Sequence, residues 1–353
     1  MTIEQAAAAT DGAARYSGFV RNRQLIVAAL VVVLIASFLA DLSFGPSALA
    51  PLDALKALFG MDGTTRVQSV IMWNVRLPQA VIAVLVGAAL ALAGAEMQTI
   101  LDNPLASPFT LGVSSAASLG AAIALVRGVS RPGVPTEWLV SVNAFIFAAL
   151  SVLLLQALAY RPGTGPSVLV LFGIAMVFTF NALVALVQYV ASEQALQQFV
   201  FWTMGSIAQA SWDKIIILSL ALLIAFPTSF GARWQLTALR LGEDRARSFG
   251  IHVQRLRFFA LMRVSLLAAL SVAFVGTVGF VGLVGPHIAR LLVGEDHRFF
   301  LPASLLVGAI VMSLASLVSK MLVPGLLVPI GIVTALIGVP VFIALVFTRG
   351  RRA

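Results

Sequence analysis

The chain has 353 residues, 60% of them hydrophobic and only 10% charged, with a formal net charge of +9 and no cysteine. Soluble domains are about 45–50% apolar, so this composition excludes an ordinary soluble protein, and the lack of thiols excludes disulfides, thiolate metal sites and cysteine catalysis. The basic residues lie in short segments between apolar runs, which speaks against a nucleic-acid surface and reads as membrane orientation.

A spanning helix takes about 20 apolar residues, and the apolar runs number about ten. The pattern predicts an all-α, polytopic membrane bundle that fills residues 1–353 as one domain. Residues 1–22 lack the apolar core of a cleaved signal and are expected as a cytoplasmic tail ahead of a retained first span over 24–41, ending at Asp41. In the turn-rich stretch that follows, Asp53 and Lys56 suit a short surface helix. Arg76-Leu77-Pro78 opens the second span, over 79–100, where proline near a helix start costs little. The run from Asp102 to Pro108 is an inner turn, a third span rises to about 127, and a fourth descends to Tyr160-Arg161. After the tight turn Pro162–Pro166, the fifth span, 168–191, carries Thr179, Asn181 and Gln188. Polar groups at that depth need partners or a wet path.

Residues 192–212 place Trp202 and Trp212 at headgroup level on the outer side. The sixth and seventh spans, 214–231 and 257–276, flank a charged island, 232–256, too polar to cross hydrocarbon. Glycines 276, 279, 282 and 285 recur every third residue and favour close helix approach. A second polar loop runs from Arg290 to Arg298, a ninth span over 301–319 stops at Lys320, and a tenth descends from Pro329-Ile330-Gly331 to Phe347. Arg15, Arg21 and Arg23 at one end and Arg349, Arg351 and Arg352 at the other place both termini in the cytoplasm, which calls for an even number of spans. The inner segments then hold about fifteen Lys and Arg against about seven outside, as the positive-inside rule requires.

His252, His287 and His297 are scattered, the carboxylates do not gather at metal-ligand spacing, and no glycine-lysine phosphate loop occurs. Neither a metal nor a cofactor is expected on this chain, nor ATP hydrolysis by it. The deep polar candidates are Glu96, Asn143, Asn181 and Arg263. Glu96 reads as a boundary carboxylate capped by backbone donors; the alternative is a proton relay in an ion-coupled secondary transporter.

Several motifs, in order over residues 70–345, carry a family resemblance. They are Arg76-Leu77-Pro78, Gly94-Ala95-Glu96-Met97-Gln98, the run Asn103 to Pro108, Trp202-Thr203-Met204-Gly205, Leu241-Gly242-Glu243, the run Gly279 to Arg290, Pro329-Ile330-Gly331 and Gly338-Val339-Pro340. Together they resemble the FecCD (BtuC-like) permeases of the bacterial importers for ferric siderophores, haem and cobalamin. The resemblance implies a large-type ATP-binding-cassette importer in the bacterial inner membrane, with a ferric siderophore as cargo and haem or cobalamin as alternatives. Its implied partners are a second permease subunit in a homodimer, two ATPase subunits that hold ATP and Mg, and a periplasmic binding protein. It further implies that Leu241, Gly242, Glu243, Asp244, Arg245, Ala246, Arg247 and Gly250 couple to the ATPase. Arg76 and Lys320 would dock the binding protein, with Gln79 standing where the family has a second arginine. Thr164, Ser167, Met176, Thr179 and Asn181 would line or gate the pathway. His287 and His297 are expected to be structural.

Overall fold

The computed structural model describes residues 3–45, 50–128, 132–159, 161, 165–323 and 325–349, with side chains over 16–343 apart from Pro166. The chain begins with α1 (Ile3–Ser43). This helix extends back through the expected tail, where an alanine-rich run favours helix. Next come α2 (Pro51–Phe59), ended by Gly60 at φ 62°, and α3 (Arg66–Ile71), started by a Thr65/Gln68 capping box. One π-helical turn, Met72–Arg76, joins α3 to α4 (Leu77–Ile100). It sits where Pro78 has no N–H to offer the preceding turn.

The remaining elements are α5 (Val113–Val126), α6 (Thr136–Ala159), α7 (Pro166–Tyr189), α8 (Glu193–Thr203), α9 (Trp212–Gly231), α10 (Arg233–Leu239), α11 (Glu243–Ser248), α12 (Val253–Val275), α13 (Val281–Val293), α14 (His297–Met321) and α15 (Ile330–Arg349). Among the described residues seven helical stretches are long and apolar enough to cross a membrane, and three shorter apolar helices, α5, α13 and the described part of α15, bring the bundle to ten. The chain is a multi-pass membrane protein. α8 lies where the sequence suggested only a polar outer link. Ser192 caps it, and Ala195 and Phe199, one turn apart, are its buried stripe.

α4 is the axis of the fold. Most of its apolar window is buried, against little of α1's, and it packs on α14, α12, α13 and α9. Hydrophobicity does not drive helices together in lipid, so close backbone approach must supply the packing. A methyl group built on Gly94 would fall inside the Gly282 carbonyl of α13, and one on Gly87 inside the Gly308 carbonyl of α14.

The chain leaves helix in four places that bear on the site: residues 101–112 between α4 and α5, 204–211 after α8, 276–280 between α12 and α13, and 326–329 ahead of α15. The 14 residues of α5 rise only about 21 Å, short of the roughly 30 Å hydrocarbon core. Irregular backbone at such depth persists only where protein buries it or a cavity adjoins it.

Candidate functional site

Three of these segments, 101–112, 204–211 and 276–280, line an open cavity of about 750 Å3 together with residues of α8, α13 and α15. Hydroxyls of Ser107, Thr110, Thr203 and Thr277 are distributed among apolar walls such as Phe109 and Phe280, and among the described residues no charged side chain lines it. Backbone bonds hold the rim: Ser206 donates to the Val275 carbonyl at 2.7 Å, Ile330 to Gly205 at 3.0 Å and Gly331 to Met204 at 3.1 Å. The Thr277 hydroxyl donates to the Thr203 carbonyl. Phe280 stands at φ 65°, a conformation costly for a bulky side chain, and packs against Gly338 of α15. Such a wall suits a bulky, largely apolar solute and offers an ion no fixed countercharge.

The residues expected along the pathway do not line this cavity. Thr179 and Asn181 are exposed on the free face of α7, Ser167 is exposed at its start, and Met176 is buried. Met176 sits where a side chain on Gly112 would touch it. None of these lines the cavity, and Thr164 falls outside the described residues. Sequence reasoning missed Ser107, Thr110, Thr203 and Thr277, whose shared signal is a hydroxyl within three residues of glycine or proline between apolar runs.

One end of the bundle is highly charged. Gly242, at φ 103°, and Gly250, at φ 80°, break the island into α10 and α11. Leu241, Asp244, Arg245, Arg247 and Phe249 are exposed there, and Ala246 is buried. Glu243 turns inward, its carboxylate pairing with Arg257 as well as with Arg247 at 3.3 Å. Arg240 spans Asp102 at 2.7 Å and Glu295 at 2.7 Å. Burial alone would raise the Glu295 pKa, but the Arg240 hydrogen bond and the Arg240 and Arg290 charges hold it below its ordinary value. Asp296 behaves alike: burial opposes ionisation, and Arg298, by side-chain and backbone hydrogen bonds, outweighs it. His297 is buried between the Thr99 hydroxyl at 2.9 Å and the Thr237 hydroxyl at 3.1 Å. Among the described residues no group of His, Asp or Glu could hold a metal ion.

At the opposite end, Arg76 and Lys320 are 2% and 3% exposed, which corrects their expected placement as surface docking groups. Arg76 Nη1 donates to the carbonyls of Leu42 and Ser43 at 3.1 and 2.9 Å, and Lys320 Nζ pairs with Asp41 at 2.8 Å. Both side chains bond inside the bundle and do not stand on its surface. Glu96 also departs from expectation. Its cap is the Arg263 guanidinium, whose Nε lies 2.9 and 3.1 Å from the two carboxylate oxygens, rather than backbone donors.

Residues 32–348 match the FecCD transport family. A Helicobacter pylori (strain J99) protein named probable iron chelatin transport system permease protein is 38% identical over 283 residues, covering 80% of this chain and 84% of that protein. The molybdate import system permease protein MolB of Haemophilus influenzae is 36% identical over 286 residues, covering 81% and 83%. A solved inward-facing, metal-chelate type ABC transporter superposes with a TM-score of 0.80 at 32% identity, covering 92% of this chain and 99% of that one. An all-helical membrane bundle broken around a cavity with no charged lining among the described residues, and with charged helices at one end, thus meets a family match over nearly its whole length: the chain belongs to the FecCD transport family and is an ABC importer permease.

Proposed function

We propose that this permease moves a ferric siderophore from periplasm to cytoplasm across a bacterial inner membrane, driven by ATP hydrolysis on partner subunits. The observation that carries the reading is the cavity of about 750 Å3, apolar with scattered hydroxyls and, among the described residues, without a charged side chain. A chelate with an organic shell fits such a wall; a small bare oxyanion would lose its hydration there with nothing to replace it. The exposed side of α10 and α11 faces two ATPase subunits, which hold ATP and Mg, and so both termini lie in the cytoplasm. A periplasmic binding protein delivers cargo at the opposite end. A second copy covers the exposed face of α7, where the Asn181 amide would be costly against lipid.

The permease purified with its ATPase and binding protein into liposomes is expected to take up radiolabelled ferric siderophore only with internal ATP, and not molybdate. Uptake of haem or cobalamin in place of the siderophore would move the cargo to the family's other chelates. Accumulation driven by a proton gradient without the ATPase would overturn the reading.

A further inference from the structure

The short helix α2 turns three different sides to its surroundings. Ala54 and Ala57 are buried and share one apolar cluster with Leu42, near the end of α1, and Met72 of the π-helical turn. Leu52 and Phe59, within about 20° of each other around the helix axis, are 64% and 72% exposed. Asp53 and Lys56 fall in the sector between these two sides. Met61 beyond the helix, and Val67 and Val70 on the adjoining α3, are exposed as well. A helix with water over all its free surface would carry polar residues there; α2 carries them over only part of it.

The level of α2 in the bundle is marked twice. Arg23 bonds the Val293 carbonyl at the charged end, and α1 rises about 27 Å from Arg23 to Asp41, close to the roughly 30 Å of a hydrocarbon core. Asp41 therefore stands at the far boundary, next to the Leu42 of the α2 cluster. The second mark is aromatic. Trp73, directly after Met72, accepts the Trp212 Nε1–H on its carbonyl at 3.3 Å, and both tryptophans are exposed. Tryptophan collects at headgroup level. α1, on which α2 packs, exposes an apolar stripe of Val32, Ile35 and Leu39, as a lipid-facing span does.

We propose that α2 is an interfacial anchor. Leu52 and Phe59 sit in the boundary between acyl chains and headgroups of the leaflet opposite the charged end, and Lys56 reaches the lipid phosphates. The partner is the phospholipid surface, because this face lies at the depth of the last turn of α1 and continues a lipid-facing span. The anchor holds the joined ends of two helices at a fixed depth: Arg76, directly before α4, donates to the Leu42 and Ser43 carbonyls of α1. The inference goes beyond the importer reading, which supplies only the identity of the leaflet, the periplasmic one.

The chain has no cysteine, so one introduced thiol reports alone. The full chain with Phe59→Cys is labelled with a fluorophore and reconstituted in vesicles of phosphatidylethanolamine and phosphatidylglycerol. A lipid with a nitroxide just below its headgroup is expected to quench that label about twofold or more, and aqueous iodide to quench it little. Asp53→Cys should show the reverse order. Leu52→Cys repeats the lipid contact should Phe59→Cys fail to insert. Iodide quenching at 52 and 59 equal to that at 53, without lipid quenching, overturns the anchor. Shielding of residue 59 by added binding protein, in place of lipid quenching, overturns it too and makes the face a protein contact. The measurement needs neither ATPase nor cargo, so absent ATP-driven uptake alongside lipid quenching at 59 overturns the importer and leaves the anchor standing.

Discussion

Asp41 and Lys320 form an ion pair whose side chains are both wholly buried, with the Ser316 hydroxyl donating to the carboxylate at 2.9 Å. Breaking one side of such a pair strands a charge and costs about 3–5 kcal/mol, whereas replacing both partners by apolar groups is often neutral. Lys320→Met alone should therefore lower the thermal midpoint of the detergent-solubilised protein sharply. Adding Asp41→Leu should restore most of the loss, and a double variant as unstable as the single one would show that the pair is not the cause. Each residue was visible in the sequence as the end of a span. Their meeting was not, because 279 positions separate them and no periodicity links them. Glu96 and Arg263 taught the same lesson, being separately conspicuous and only jointly explicable.

The helices themselves were largely legible, because about 20 apolar residues between polar breaks admit few other readings. Gly242 and Gly250 flank α11 in the island, since positive φ ends a helix cheaply at glycine. The depth of the breaks was not legible: a turn rich in proline and glycine looks the same in sequence whether it sits in water or folds back into the bundle. Hence Ser107 read as an inner-turn residue and Thr110 as the start of the third span although both line the cavity. Close packing around α4 has a direct test. Gly94→Ala drives a methyl into the Gly282 carbonyl and should destabilise the protein by about 1–3 kcal/mol, the usual cost of overpacking. Gly18→Ala meets nothing within 4 Å and should be neutral or stabilising by up to about 1 kcal/mol, since alanine is the better helix former. Thermal melts of the two variants against the parent check both signs.

At the scale of the whole molecule, the free face of α7 carries Leu171, Phe178, Leu186 and Tyr189 at 69, 71, 61 and 89% exposure. Apolar exposure alone fits lipid equally well, but Asn181 on the same helix does not. If two copies meet there, Tyr189→Cys, the sole thiol, should oxidise in membranes to a cross-linked dimer. Val33→Cys on exposed α1 should stay monomeric on the same gel, and equal behaviour of the two would remove α7 as the contact. The cavity's lack of charge bears on selectivity. Among the bulky chelates that such a wall admits it gives little to cling to, so on the proposed importer the choice between them falls upstream, to the protein that would hand them over. Swapping that courier should redirect the traffic while this conduit goes unaltered.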